Sequence, residues 1–198
     1  MIIFRFGMAM WIFALLILVP SLTTAGEATN QLSTTIDGFV PIITNTPSAE
    51  LQANGLPESA RKLVLGRFDF SEMTRRSLGW RWNSLNREEQ RQFVDAFTQW
   101  QLIYYGKTVR SSRGEKVPFK RELSDGKDVS VETTIVSRYG DFPIDYWLHN
   151  VNGQWKVYDM VIDHVDIVKN IRAQFERVIA KSSFKELLQR VRDQNPHS

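Results

Sequence analysis

The stretch of residues 129–162, VSVETTIVSRYGDFPIDYWLHNVNGQWKVYDMVI, decides the fold class of this chain. Its first segment, Val129–Ile135, alternates apolar and polar residues, which is typical of a strand with one buried face. The same alternation returns at Ile144–Leu148 and at Trp155–Ile162, after short polar turns. Three such strands predict an antiparallel meander, and residues 117–123 are a weaker candidate for a fourth strand because a proline interrupts them.

Helical patterns lie on both sides of this predicted sheet. Apolar residues at helical spacing predict a first helix at about 29–43, and capping boxes predict helices that begin at Asp69 and Asn86. Residues 44–55 are rich in Asn, Pro, Thr and Ser and predict a loop. Two amphipathic helices are expected within residues 168–191. Helices, a sheet and further helices predict an α+β fold with a sheet of about four antiparallel strands.

The beginning of the chain is typical of an exported protein. Arg5 and the amino terminus precede an uncharged apolar run, Phe6–Val19, and small residues follow up to Ala25. An apolar run of 14 residues is shorter than the roughly 20 that span a bilayer. We therefore expect residues 1–25 to be a cleaved signal peptide and residues 26–198 to form one domain in a bacterial periplasm.

Composition excludes several classes of protein. The 198 residues include no cysteine, so disulfides, thiol catalysis and thiolate metal sites are excluded. Lys and Arg number 25 against 22 Asp and Glu, and a net charge of +3 is too small to indicate nucleic-acid binding. The 12 Phe, 6 Trp and 5 Tyr predict a large aromatic interior.

One polar cluster has residue types that could support catalysis or metal binding. Asp163, His164 and Asp166 could form a metal site or a general-base dyad. Adjacent residues of a strand point to opposite faces, however, so Asp163 and His164 do not readily share a ligand. The favoured interpretation is a polar junction between strand and helix, with Asp166 as the N-cap, and we predict no metal site.

Two segments carry a family resemblance. The first is LGRFDFSEMTRRSLGWRW (65–82), followed by the helix NREEQRQFVDAFTQWQLIYYGKTV (86–109), and the second is WKVYDMVIDHVDIVKNIRAQF (155–175). They resemble MlaC-type proteins, which are periplasmic phospholipid-binding components of ABC systems for lipid traffic, also called toluene-tolerance auxiliary proteins. The resemblance covers about residues 51–193. It departs at residues 164–166, where the family usually has Gly-Val-Ser and this chain has His-Val-Asp.

This resemblance implies a function as well as a fold. Members enclose a deep apolar pocket that takes the acyl chains of a phospholipid, which is cargo, and no cofactor is expected. The chain would shuttle phospholipid between the inner and outer membranes and so serve outer-membrane lipid asymmetry. Its implied partners are an inner-membrane ABC transporter complex with a lipid-binding ring and an outer-membrane lipoprotein complex, with no nucleic acid and no enzymatic activity.

The resemblance and the strand pattern together suggest which residues line such a pocket. Six alternating residues should share one sheet face: Val131, Ile135, Ile144, Tyr146, Leu148 and Val157. Five residues of helices should pack across that face or close one end of it: Phe97, Trp100, Tyr104, Ile171 and Phe175. Arg76 and Arg81 are the candidates for the headgroup side. Each apolar residue in these sets could equally be ordinary core.

Two other functions remain open from the sequence. One is a small periplasmic enzyme that uses Asp163, His164 and Asp166 on an apolar substrate. The other is an interaction domain with a filled core and no ligand. The presence of bound lipid in the purified protein would distinguish a carrier from the enzyme and from the interaction domain.

Overall fold

The protein is described here from a computed structural model that covers residues 26–109, 116–137 and 140–193. The expected signal peptide, residues 1–25, lies outside the described residues. The helices are α1 Glu27–Asn45, α2 Ser48–Asn54, α3 Glu58–Arg67, α4 Phe70–Leu78, α5 Arg87–Val109, α6 Ile167–Lys181 and α7 Phe184–Arg192, with a 3-10 helix at Gly79–Ser84. The strands are β1 Phe119–Ser124, β2 Asp128–Ser137, β3 Gly140–Val151, β4 Gln154–Ile162 and β5 Val165–Asp166. Within these ranges no helix is long and apolar enough to cross a membrane.

The strands form one antiparallel sheet in the order β1-β2-β3-β4-β5, and the α+β prediction is confirmed. Residues opposite one another across the sheet share a face, and Tyr146 on β3 lies between Val131 on β2 and Met160 on β4. The sheet has five strands instead of about four. The additional strand is only two residues long and follows a two-residue turn after Ile162, so alternation over several residues could not reveal it.

Local capping explains why the helices begin where they do. The Asp69 carboxylate accepts a hydrogen bond from the Glu72 N–H at 2.9 Å and caps α4. At α5 the bonds are reciprocal, because Asn86 accepts from the Glu89 N–H and the Glu89 carboxylate accepts from the Asn86 N–H, both at 2.9 Å. The capping box at Asn86 is therefore confirmed, whereas at Asp69 only the N-cap bond forms, because the Asp69 N–H donates to the Val157 carbonyl.

The predicted loop at residues 44–55 is wrong, because it contains α2. Pro47 stands at the N-cap of this helix, and Gly55 ends it with a positive φ of 71°. Leu51 is fully buried in the helical core, which gives the short helix its stability. One buried leucine in a polar stretch is too weak a periodic signal to predict a helix.

The buried apolar residues form two clusters. The helical cluster lies among the helices and is built on Phe93, Phe97, Trp100, Phe175 and their neighbours. The sheet cluster lies between one sheet face and α1, and its buried members are Ala28, Leu32, Val129, Val131, Leu148, Val157 and Met160. The sheet therefore does not share one undivided core with the helical layer.

Alanine substitutions at two glycines test where the backbone of this fold requires glycine. Gly79 ends α4 with φ of 58°, and an added Cβ would stand 2.7 Å from the Arg172 guanidinium carbon. We expect Gly79→Ala to lower the free energy of unfolding by about 1–2 kcal/mol. Gly66, within α3, has open space around it, so Gly66→Ala should raise that free energy by about 0.5–1 kcal/mol. Urea titration of both variants measures the two signs, and equal destabilisation would contradict the assigned conformations.

Candidate functional site

Three residues connect the two apolar clusters. Phe68, between α3 and α4, Tyr105 on α5 and Ile167 at the start of α6 each pack against both the helical cluster and the sheet cluster. We call these three residues the junction. They come from three separate parts of the chain, so the junction exists only when helices and sheet are assembled.

Aromatic rings dominate the junction. The Phe68 ring lies 5.8 Å from the Phe70 ring in a stacked arrangement and 5.7 Å from the Tyr105 ring, measured between centroids. Phe70 and Tyr105 are 6.5 Å apart. These separations are those of favourable aromatic pairs, and they give the junction broad, flat apolar walls.

Among the buried polar atoms that lack hydrogen-bond partners within the described residues, one belongs to Tyr105 of the junction and another to Trp155, which packs against the sheet cluster. They are the Tyr105 hydroxyl and the Trp155 indole N–H. An unpaired buried polar group costs about 1–3 kcal/mol, so each is a group that a ligand atom could satisfy. Burial, followed by the nearby Tyr146, raises the pKa of Tyr105 far above its usual range. Burial also raises the pKa of Tyr146 to about 12, so both phenols stay neutral.

The predicted residues of the sheet lie together on one face. Val131, Leu148 and Val157 are buried members of the sheet cluster, and Tyr146 packs against it. Ile144 is buried one pair further along β3, while Ile135 is half-buried near the end of β2. The strand pattern therefore placed these side chains on a common face, since the strand period is two residues.

The predicted residues of the helices lie elsewhere. Phe97, Trp100 and Phe175 pack against one another with centroids 5.6–6.3 Å apart, and with Ile171 they fill the helical cluster instead of facing the sheet. Tyr104 is 48% exposed. The next residue of α5, Tyr105, reaches the interior, and neither Tyr105 nor Phe68 was among the residues predicted from sequence.

The two arginines proposed for a headgroup have other contacts. The Arg76 Nε donates to the Glu72 carboxylate at 2.7 Å, and its guanidinium lies 3.9 Å from the centre of the Tyr158 ring. The Arg81 guanidinium lies 4.5 Å from the centre of the Trp80 ring. Arg76 is thus paired within the protein, whereas the Arg81 Nε is buried without a hydrogen-bond partner among the described residues.

The polar cluster after β4 has structural duties. Asp163 and His164 have positive φ of 46° and 66° and form the exposed two-residue turn between β4 and β5. Asp166 accepts from the Lys169 N–H at 2.7 Å and caps α6, as predicted. Among the described residues no group of three His, Asp or Glu side chains could hold a metal ion.

A carboxylate of β4 also holds the start of α6. The Asp159 carboxylate accepts from the Met160 N–H at 2.7 Å and from the Val168 N–H at 3.1 Å. Burial is the main cause that raises the pKa of Asp159 to about 6, and the nearby Asp166 adds to the shift. Because Ile167 lies between Asp166 and Val168, this carboxylate fixes one side of the junction.

Comparisons with known proteins fit this architecture. The sequence profile of a family described as "MlaC protein" matches residues 34–193. Toluene tolerance protein ttg2D of Pseudomonas putida is 27% identical over 90 residues, which are 44% of this chain and 42% of that protein. The alignment thus spans less than half of that relative.

A solved structure has the same fold. It is the phospholipid-binding protein from Ralstonia solanacearum in complex with a phospholipid, at 1.53 Å resolution. The two structures superpose with a TM-score of 0.74 at 22% sequence identity, covering 86% of this chain and 97% of that one. The arrangement of sheet and helices is therefore shared over nearly all of that protein.

The raised pKa of Asp159 makes stability depend on pH. The folded state binds this proton more tightly than the unfolded state, so the stability it contributes is present at pH 4 and is lost as pH rises through about 6. Asp159→Asn keeps an oxygen acceptor without the titration. When the pH is raised from 4 to 7.5, we expect the free energy of unfolding of Asp159→Asn to increase by about 1–2 kcal/mol relative to that of the unmutated protein.

Denaturant unfolding at both pH values measures this change. Asp163→Asn, in the exposed turn after β4, controls for the loss of one negative charge. A difference between Asp159→Asn and the unmutated protein that stays constant with pH would contradict the assignment.

Proposed function

The chain belongs to the MlaC protein family, and from that premise we propose that it binds a phospholipid with its acyl chains between the helical cluster and the sheet cluster. The observation that carries this proposal is the junction of Phe68, Tyr105 and Ile167, where aromatic walls meet the buried Tyr105 hydroxyl, which has no hydrogen-bond partner among the described residues.

The sheet face supplies one wall of the proposed site. Val131, Leu148 and Val157 are apolar and buried, and Tyr146 beside them is half-buried. The buried aromatic residues of the helical cluster support the opposite side through the junction. Of the residues predicted from sequence, those of the sheet face are therefore the closer candidates for contact with the acyl chains.

Acyl chains provide the binding energy. Each methylene removed from water contributes about 0.8 kcal/mol, so two tails contribute on the order of 20 kcal/mol. Desorption into water is correspondingly unfavourable, and release needs a partner that opens the site. Because the tails dominate this energy, headgroup discrimination should be weak.

Neutral donors complete the site. The Tyr105 hydroxyl and the Trp155 indole N–H can donate to the ester carbonyls that join the tails to glycerol. Both groups are buried and uncharged, so they can hold an ester at any physiological pH. They match the part of a phospholipid that lies between its apolar and polar ends.

The cellular role we propose is that of a carrier. After removal of residues 1–25 the domain would move phospholipid through the periplasm between the inner and outer membranes. An inner-membrane ABC transporter complex with a lipid-binding ring and an outer-membrane lipoprotein complex would load and unload it. We propose no catalytic step, because Asp163, His164 and Asp166 serve a turn and a helix cap.

The direct test is the lipid content of the protein. We expect the mature chain, purified from a bacterial periplasm without detergent, to retain about one phospholipid per molecule through gel filtration. Mass spectrometry of the organic extract identifies the lipid and its number of tails. A folded protein with a lipid-free extract would overturn the proposal and favour a filled interaction domain.

Adjacent tyrosines allow a matched comparison of the proposed site. Tyr105→Phe removes an unpaired hydroxyl, so the free energy of unfolding should stay equal or rise by up to about 1 kcal/mol. Loss of its hydrogen bond to an ester should speed the transfer of a fluorescent phospholipid to acceptor vesicles by about 3–10-fold. Tyr104→Phe, at an exposed position, should change neither quantity. Faster transfer from the Tyr104 variant alone would place the site on the other face of α5.

A further inference from the structure

A concave region lies beside α3 and includes Arg67, the residue that precedes Phe68 of the junction. It is a cleft of about 530 Å³ between α1, α3 and the first residues of β4. Its walls include Gln31 and Thr35 of α1, Lys62 and Arg67 of α3, and Lys156 of β4. The volume falls within the range of small-ligand sites.

The charges of the cleft have one sign. Lys62, Arg67 and Lys156 line it, and none of its lining residues is Asp or Glu. Lys62 lies 3.9 Å from the Glu58 carboxylate, an exposed pair at the rim that solvent screens. Arg67 and Lys156 have no carboxylate within 4.0 Å among the described residues. Three cations thus face one cavity with little internal neutralisation.

Of the three cations, Arg67 has the contacts that most clearly indicate an anionic ligand. Its Nε donates to the Thr35 hydroxyl at 2.9 Å, and its Nη1 donates to the Gln31 side-chain oxygen at 2.9 Å and to the Trp155 carbonyl at 2.5 Å. All these acceptors are neutral. A half-buried guanidinium normally has an anionic partner, because removing its charge from water is costly. Burial accordingly lowers the pKa of Arg67.

These neutral contacts also hold the guanidinium in place. Gln31 accepts from the Trp155 N–H at 3.0 Å as well as from Arg67, so α1 and β4 fix the same guanidinium plane. The Lys156 ammonium donates to the Gly66 carbonyl, which keeps a second cation beside the same end of α3. A site whose donors are held in position before the ligand arrives loses little entropy on binding.

We propose that this cleft binds a phosphate-type anion through Lys62, Arg67 and Lys156. A tetrahedral phosphate ester offers several oxygens to separate donors. Because the Arg67 Nε and Nη1 donate within the protein, its Nη2 and the two lysine ammonium groups are the donors that remain for such an ester. A cleft of about 530 Å³ is larger than inorganic phosphate and can hold an organic phosphomonoester or phosphodiester. This chemistry is common to a phospholipid headgroup and to a free phosphorylated metabolite. None of the lining residues of the cleft belongs to the junction.

Soluble probes test the cleft directly. We would titrate the mature protein with inorganic phosphate and with glycerophosphoethanolamine, by isothermal calorimetry at low ionic strength. Lys62→Gln and Lys156→Gln each remove one cation from the cleft, and Lys185→Gln on α7 is the control at an exposed position outside it. Arg67 is left unchanged because its side chain holds α1 against β4. Thermal unfolding verifies that each variant is folded.

The expected result is saturable binding of the phosphodiester at millimolar concentration or below. Each cleft variant should weaken it by about 3–10-fold, and added salt should weaken it further. If only the lipid-free protein binds the probe, the natural occupant of the cleft is the headgroup of a bound lipid. If the lipid-loaded protein binds the probe equally well, the natural occupant is a free anion. No saturable binding of either probe, or equal affinity in the two cleft variants and Lys185→Gln, would overturn the proposal. The lipid-content measurement does not depend on this outcome.

Discussion

One backbone hydrogen bond holds the connection between α3 and α4 against the sheet. The Asp69 N–H donates to the Val157 carbonyl at 2.8 Å, and Phe68 forms an isolated parallel bridge with the same residue of β4. This contact lays the α3–α4 connection along the sheet and places the Phe68 ring between the two apolar clusters. The Asp69 side chain then caps α4, and its other oxygen lies 3.0 Å from the His149 Nε2 on β3. Moving this segment would move the junction.

Local signals made most of the fold predictable from sequence. Strand alternation and capping boxes depend on residues within a few positions of one another, and both identified the correct elements. The α+β class followed from their order. α2 and β5 were missed because the first depends on the burial of Leu51 in a core built by distant residues, and the second on a two-residue turn at Asp163 and His164. Neither produces a period in the sequence.

The interior of the candidate site was less predictable, and α5 shows why. Each helical residue turns by about 100°, so Tyr104 lies on nearly the same face as Phe93, eleven residues earlier. Phe93 is buried in the helical cluster, whereas Tyr104, about three turns later, is exposed. Tyr105, on a neighbouring face, is the residue that contacts both clusters. The spacing of apolar residues identifies one face of a helix. Which elements pack against that face at each turn depends on the tertiary structure.

The segment at the end of α3 serves two regions with opposite chemistry. Arg67 lies in the polar cleft beside α1, and the next residue, Phe68, lies in the aromatic junction. The backbone leaves the helix and becomes extended at Phe68, so the two side chains point in different directions. Arg67 also donates to the carbonyl of Trp155, whose ring packs against the sheet cluster. The cleft and the junction are therefore built on one short piece of chain, and a substitution at Arg67 would disturb both. Lys62 is exposed and pairs with Glu58 at the rim, whereas Lys156 donates to the Gly66 carbonyl beside that piece of chain. Lys62 is therefore the cation whose substitution best separates the electrostatics of the cleft from the packing of the junction.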